Sequence, residues 1–120
     1  MRSSRAEIKI EKILQMTDWH FEEEYEFPDL KSSNGTPLRF DFVIFDDDGK
    51  IDFIIEYQGK QHYMPVDKFG GKTALYRQQY NDTLKRRYCA TCGYRLIEIP
   101  YVEENLISYD YIMKKAGYAE

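Results

Sequence analysis

Cysteine and histidine are scarce in this chain, with two of each among its 120 residues. A structural zinc site normally needs four such ligands. The single C-x-x-C, formed by Cys89 and Cys92, has no second ligand pair at zinc-like spacing, and His20 and His62 lie far apart in the sequence. A redox C-x-x-C opens a helix after a strand, whereas this one closes a predicted helix before a strand. We therefore expect two reduced thiols at a packed helix end.

Long apolar runs are also missing from the sequence. No stretch approaches the about 20 residues that a transmembrane helix needs, and the N-terminus MRSSRAEIKI has no apolar signal core. These absences predict a soluble, cytoplasmic protein without membrane contacts. At this length we expect one domain with one core, covering residues 1–120.

Basic residues are outnumbered by acidic ones overall but are concentrated in one segment. The net charge is −4, yet residues 58–95 carry eight lysines and arginines against two aspartates, a local net of +6. Because salt screens charges beyond about 8 Å, a polyanion responds to this local field and not to the total charge. Such a segment is compatible with phosphate binding and equally with a solvated basic helix face, so charge alone does not decide between them.

Hydrophobic periodicity predicts the element order α-β-β-β-α-β-α. Ser4 and Glu7 form a capping box that opens the first helix. The predicted helices cover residues 4–16, 73–92 and 103–116, and the predicted strands cover 19–27, 38–45, 51–58 and 94–100. The order predicts an α/β (α+β) fold, a mixed sheet flanked by helices, with an acidic edge strand first and a central strand second.

Turn residues separate these elements. We predict loops at 28–37 and 59–72 and a hairpin turn at 46–49, between the second and third strands. The long helix is expected to end at Gly93 and to bury one apolar stripe. That predicted stripe contains Leu75, Tyr80, Leu84, Tyr88 and Cys92.

Two carboxylates fall in the apolar strands of the predicted hairpin. Glu56 and Gln58 share a face of the third strand, and Asp41 of the second strand falls roughly opposite Ile54 and Glu56. Two buried carboxylates this close repel each other, and a divalent cation removes the conflict. Hard oxygen ligands suit Mg²⁺ or Mn²⁺.

A structural explanation of the same carboxylates stays open on spacing alone. Asp41 could pair with Arg39 or Arg95. Glu56 could lie at a frayed strand end, with Gln58 pointing into water.

The element order and the D-x(14)-E-x-Q spacing resemble the PD-(D/E)XK nuclease superfamily. The stretches RFDFVIF, IIEYQGKQHY and RQQYNDTLKRRYCATCGYRLIEIPY are similar to the branch of very-short-patch repair endonucleases and phage or intron-associated homing endonucleases. The resemblance spans roughly residues 3–107. It implies a restriction-endonuclease-like α-β-β-β-α-β core.

The resemblance also implies roles for individual residues. Asp41 and Glu56 match the family's metal ligands, with the Tyr57 carbonyl as a third ligand. Glu7 matches a first-helix glutamate that binds metal through water, although the capping box with Ser4 is the structural alternative.

Position 58 departs from the family, because Gln58 stands where a lysine is usual and cannot carry a proton. The repair-like branch uses a histidine in the chemistry, which makes His62 the candidate acid or base, since histidines exchange protons near neutral pH. A loop histidine packed on Tyr63 is the alternative, and Lys60 and Lys85 are reserve candidates.

The resemblance implies metal-assisted hydrolysis of a phosphodiester in DNA, with Mg²⁺ or Mn²⁺ as cofactor. Asp82 matches a helix aspartate of the homing-type members, and an i,i+3 surface pair with Lys85 is the alternative. The residues expected to contact DNA are Lys60, Lys68, Lys72, Arg77, Asp82, Lys85 and Arg86, with Arg87 beside them.

Two functions follow from these observations. The first is a phage or mobile-element endonuclease in a bacterial or phage-infected cell, acting as a homodimer, on structured DNA or through a recruiting partner protein. The second is a catalytically weakened nuclease fold that binds DNA or protein. Binding of Mg²⁺ or Mn²⁺ that depends on Asp41 separates the two.

Overall fold

The computed structural model describes residues 4–118, which form one mixed sheet with helices on both faces. The helices are α1 (Arg5–Gln15), α2 (Gly71–Cys92) and α3 (Tyr109–Lys115), and the strands are β1 (His20–Lys31), β2 (Pro37–Phe45), β3 (Ile51–Gln58) and β4 (Arg95–Pro100). The predicted order α-β-β-β-α-β-α and the predicted mixed sheet are confirmed. Within residues 4–118, no helix is both long enough and apolar enough to cross a membrane.

The strands are ordered β1-β2-β3-β4 in the sheet. β1, β2 and β3 form an antiparallel meander, and β4 pairs parallel to β3. A parallel partner requires a crossover, which α2 provides. The predictions of an edge position for β1 and a central position for β2 are confirmed.

Two apolar clusters form on opposite faces of the sheet. Ile55 packs in the cluster that holds Ile10 of α1 and Ile112 of α3. Its neighbour Ile54 packs in the cluster that holds Cys89 of α2. This division follows from the alternation of side chains along a strand, and it explains why β3 is apolar on both faces.

The predicted loop at 28–37 is wrong at both ends. β1 continues to Lys31, which pairs with Pro37 at the start of β2. Leu30 is buried in this extension, so an apolar contact keeps the chain in the sheet despite the nearby turn residues. Only residues 32–36 lie between the two strands.

The predicted apolar stripe of α2 is wrong at Tyr80 and at Cys92, which are both exposed. The helix begins at Gly71, two residues before the predicted start, and Gly93 in the left-handed conformation ends it as predicted. Leu75 is buried, but Tyr80 is exposed, and Asp82 and Lys85 are buried instead. The face of α2 that meets the sheet is polar there because it lies against polar side chains of β3 and the following loop.

The predicted helix at 103–116 is divided. Tyr101–Leu106 forms a 3₁₀ helix, and α3 begins only after Ser108, whose side chain accepts a hydrogen bond from the Tyr111 N–H. Ser108 is therefore a helix cap that the apolar pattern concealed. Both cysteines carry free thiols, but only Cys89 is buried and Cys92 is exposed, so the expected packing holds for Cys89 alone.

Candidate active site

The site begins where β2 and β3 separate. Their regular pairing ends at Phe42 and Ile55. At the next position the Asp41 N–H donates to Glu56 Oε1 at 2.7 Å, and the Tyr57 N–H donates to Asp41 Oδ2 at 2.8 Å. The two carboxylates therefore replace interstrand backbone bonds, which satisfies their oxygens in the sheet interior. The prediction that Asp41 lies within cross-strand reach of Glu56 is confirmed.

Two alternative explanations of these carboxylates disagree with the structure. Arg39, which was a candidate partner of Asp41, donates instead to Glu26 at 2.7 Å. Glu56 does not lie at a frayed end, since it is only 5% exposed.

Near Asp41, the alternation of side chains between the two faces of the sheet is interrupted in both β1 and β2. Phe40 and Phe42 are two residues apart, yet they belong to the clusters on opposite faces of the sheet. On β1 the position opposite Asp41 is Glu24, whose φ is 52°, a left-handed conformation that is rare outside glycine. This conformation turns Glu24 out of the regular alternation of the strand.

The change of face gathers three carboxylates from three elements. Glu7 of α1, Glu24 of β1 and Asp41 of β2 each offer a carboxylate oxygen, and these oxygens lie within 4.8 Å of one another. Glu7 reaches this cluster while its backbone N–H donates to the Ser4 side chain at 3.3 Å. The cap made by Ser4 therefore uses the Glu7 backbone N–H and not its carboxylate.

Glu24 was missed by sequence reasoning. It is the last of three successive glutamates, Glu22 to Glu24, in a strand that reads as an acidic solvent face. Only its backbone conformation distinguishes it, and the sequence carries no signal for that conformation.

Glu56 is held by a buried lysine. Lys85 Nζ donates to Glu56 Oε2 at 2.9 Å, with both side chains almost fully buried. Burial and, after it, the negative charge of Asp41 raise the pKa of Glu56 to about 8, although the Lys85 ammonium opposes the rise. A proton is therefore gained or lost at Glu56 near neutral pH. Lys85, predicted to contact DNA from the surface or to pair with Asp82, instead lies inside the site.

His62 is bonded to the long helix. Its Nδ1 lies 2.8 Å from Asp82 Oδ2, and Gln78 Nε2 donates to Asp82 Oδ1 at 3.2 Å. Because a carboxylate only accepts, the proton of a neutral imidazole lies on Nδ1, and Nε2 carries the lone pair. The alternative of a surface pair between Asp82 and Lys85 is wrong, since Asp82 is buried.

Gln58 belongs to a separate network. Its amide donates to Glu98 and accepts from the Tyr63 hydroxyl, and Arg86 donates to the same Glu98 carboxylate. Gln58 is buried and not directed at water, and it does not line the cavity described next. The Arg86 guanidinium is therefore paired with the Glu98 carboxylate.

A cavity of about 550 Å³, the active-site cavity, joins most of these groups. Of the predicted catalytic residues, Glu7, Asp41, Glu56 and His62 line it, as do Tyr57, Lys68 and Lys85. The remaining predicted DNA contacts, Lys60, Lys72 and Arg77, are exposed. A polar cavity lined by opposed carboxylates, a lysine and a histidine is suited to hydrolytic chemistry.

Fold and site together define a mixed α/β protein in which a buried glutamate and a half-buried aspartate meet at a polar cavity. Residues 6–111 match the family described as "Protein of unknown function (DUF2726)", so the chain belongs to this family. No solved structure matches the chain significantly.

Three viral proteins are similar to parts of the chain. "Uncharacterized protein 307L" of Invertebrate iridescent virus 6 is 41% identical over 58% of this chain and 36% of its own length. "Uncharacterized protein 094L" of Frog virus 3 is 44% identical over 46% of the chain and 37% of its own length. "Uncharacterized protein 033L" of Invertebrate iridescent virus 3 is 54% identical over 39% of the chain and 25% of its own length. The matched segments thus span 25–37% of these relatives.

Proposed function

We propose that this protein is a Mg²⁺- or Mn²⁺-dependent endodeoxyribonuclease of the PD-(D/E)XK type. The observation that carries the proposal is the pair Asp41 and Glu56, whose carboxylates interlock at the point where β2 and β3 separate, in a cavity that also holds a lysine and a histidine. Two carboxylates this close repel each other, and the single Lys85 ammonium offsets only part of their charge, which favours a role in binding a further cation.

The donor set fits a hard divalent cation. Asp41 with Glu7 and Glu24 supplies carboxylate oxygens within 4.8 Å of one another. Opposite ligands of one Mg²⁺ lie about 4.2 Å apart, so small side-chain movements complete the geometry. We assign the cation to these three residues, with Glu56 and the Tyr57 carbonyl as its neighbours. When bound, the cation would lower the pKa of a ligand water and offset the charge that develops on the phosphate.

Lys85 takes the place of the lysine that position 58 lacks. Its ammonium lies in the site against Glu56, so it offsets negative charge near the scissile phosphate from the long helix and not from β3. Gln58, bonded to Glu98, then needs no catalytic role.

His62 is placed to take up the proton of the attacking water. Its Nδ1 is held by Asp82, and the ring lines the active-site cavity. Asp82 fixes the tautomer in which Nε2 is the base. Asp82 is therefore a positioning residue.

Unpaired cations next to the cavity support DNA as the substrate. Lys60, Lys68, Lys72 and Arg77 are exposed and form no ion pair with any residue in the described part of the chain. They belong to the loop after β3 and to α2, so they add positive charge to this part of the surface, which favours phosphate binding. The viral relatives favour a viral or phage-infected host cell as the setting. A homodimer or a recruiting partner would supply the remaining recognition.

A catalytically weakened DNA-binding or protein-interaction module is the second candidate. The observation that favours it is the ion pair between Glu56 and Lys85, because both Glu56 oxygens already have protein partners. In that case the buried pair would serve the fold alone.

Nicking of supercoiled plasmid in Mg²⁺ and Mn²⁺, with EDTA as a blank, tests the proposal. Wild type is compared with Asp41→Asn and with Asp47→Asn, which removes an exposed carboxylate at the hairpin turn. We expect metal-dependent nicking by wild type and Asp47→Asn and none by Asp41→Asn. Folded wild-type protein that binds DNA without nicking it would favour the second candidate.

A further inference from the structure

A second, smaller cavity adjoins the active-site cavity. This side cavity has a volume of about 240 Å³ and lies between the loop after β3 and the start of α2. Its apolar walls include Met64, Val66 and Leu75, and no carboxylate side chain of the described residues lines it. An apolar recess beside a strongly polar site is suited to a flat, uncharged part of a ligand.

Two carboxamides stand in the side cavity. Gln78 donates its Nε2 to Asp82, which leaves its Oε1 as an acceptor. Gln61 forms no side-chain hydrogen bond with any residue in the range 4–118, so it offers both a donor and an acceptor. Apolar walls with a few amide groups match a nucleobase, which has two π-faces and a polar edge.

The two cavities share their wall. Gln61, Phe69 and Gln78 line both of them. A phosphate in the active-site cavity and a base in the side cavity would therefore lie on either side of these three residues.

We propose that the side cavity binds an unpaired nucleobase of the DNA substrate, adjacent to the phosphate that the nuclease cleaves. The inference rests on the proposed function for its ligand. Drawing a base out of an intact duplex costs unpairing and unstacking, and this cost is smallest for a base that is already unpaired. The side cavity therefore selects bulged, mismatched or branched DNA over a continuous duplex.

Phe69 and Lys68 form the outer edge of this site. Phe69 is 50% exposed, and Lys68 Nζ lies 5.1 Å from the centre of its ring. An exposed aromatic ring next to a cation can stack on a base while the cation contacts the adjoining phosphate.

Binding to three duplexes of one sequence tests the inference. One duplex is fully paired, one carries a single bulged nucleotide, and one carries an abasic site at the bulge. Affinity is measured by fluorescence anisotropy with Asp41→Asn protein, so that no strand is cut. We expect the bulged nucleotide to bind about tenfold more tightly than the abasic bulge, the scale of one stacked base.

The matched variants are Ala74→Met and Thr73→Met, made in the same Asp41→Asn protein. Ala74 lines the side cavity and Thr73 is an exposed neighbour on α2 that does not. Methionine at 74 fills the recess, so the preference for the bulged nucleotide over the abasic bulge should fall below about twofold. The Thr73→Met protein should keep it.

Equal binding of the bulged and abasic duplexes, or a preference that survives Ala74→Met, would overturn the inference. Cleavage that depends on Asp41 but shows no preference would overturn it and leave the nuclease standing. A preference for the bulged nucleotide without any cleavage by wild type would support the base site and contradict the proposed nuclease activity. Protein that binds none of the three duplexes would remove both.

Discussion

At the level of single residues, the proton of Glu56 is the feature with the widest consequences. Its carboxyl group is buried beside another carboxylate, and the Lys85 ammonium and the Asp41 N–H offset only part of the cost of its charge. Burial and Asp41 raise its pKa from 4.5 to about 8, so the folded protein holds a proton that the unfolded chain releases.

Stability should therefore fall with rising pH in a way that depends on Glu56. Its contribution is fully present below about pH 4.5, the unfolded pKa, and is lost as the pH rises towards about 8. Relative to Glu56→Gln, we expect the free energy of unfolding of wild type to fall by up to about 1.4 kcal/mol per pH unit in that window. Denaturant titrations between pH 5 and pH 8 measure this difference. A difference that does not change with pH would contradict the raised pKa.

The bond from Asp82 to His62 gives a second prediction at this scale. Asp82→Asn removes the carboxylate that holds the proton on Nδ1 of His62. We expect the rate of DNA cleavage to fall about 10²-fold, with DNA affinity changed less than about twofold, because general-base catalysis is lost and not binding. Single-turnover kinetics measure both quantities. The control is Asp67→Asn, which changes an exposed aspartate of the loop that holds His62. A rate for Asp82→Asn equal to that of the control would refute the positioning role of Asp82.

At the level of elements, the sequence predicted the strands better than the polar site they carry. Asp41 and Glu56 could be identified from the sequence because a carboxylate is unusual in an otherwise apolar strand. The prediction of the buried face of α2 was wrong because charged residues such as Asp82 and Lys85 are expected at the surface. Their burial depends on partners in β3 and the following loop. Such long-range pairs leave no periodic signal in one helix.

The conformation of β1 at Glu24 connects stability to the site. A residue with a side chain loses about 1 kcal/mol or more in a left-handed conformation, and glycine does not. The left-handed conformation of Glu24 therefore costs stability, and it occurs at the residue whose carboxylate lies beside Asp41.

Two substitutions at this position separate strain from charge. Glu24→Gly and Glu24→Ala both remove the carboxylate, but only glycine relieves the backbone, so we expect Glu24→Gly to be more stable by about 1 kcal/mol. Neither variant should retain metal-dependent cleavage at the wild-type rate. Denaturant unfolding measures the stabilities.

The same pair of substitutions at Glu23 is the control for β1. Glu23 pairs regularly with Phe42, so glycine there should be the less stable variant by about 0.5–1 kcal/mol. The same order at both positions would show that the left-handed conformation of Glu24 is not responsible.

At the level of the whole molecule, charge is divided between two regions. The net charge is −4, but the segment from the end of β3 to the start of β4 has a local net charge of +6, and four of its exposed cations form no ion pair within residues 4–118. The sequence predicted this segment correctly as the basic one. It did not predict that Arg86 is paired with Glu98 and that Lys85 is buried, which leaves fewer cations for DNA.

The salt dependence of DNA binding should report this division. Lys68→Gln and Arg77→Gln each remove one phosphate contact, so each should lower the slope of log K against log salt by about 1. Lys50→Gln, at the hairpin turn, removes an equal charge outside the basic segment and should leave the slope unchanged. Anisotropy titrations between about 50 and 200 mM salt measure the slopes. Equal slopes for all three variants would place the DNA elsewhere.

The central claim is that Asp41 organises a divalent-cation site, and a Mn²⁺ titration followed by electron paramagnetic resonance tests it most directly. Wild type, Asp41→Asn and Asp47→Asn are compared at equal protein concentration, with the unfolding midpoint of each confirming that it is folded. We predict that wild type and Asp47→Asn bind Mn²⁺ and that Asp41→Asn weakens this binding at least about tenfold, since one of the three carboxylates assigned to the cation is lost. Undiminished binding by Asp41→Asn, or folded wild type that binds no Mn²⁺, would contradict the claim.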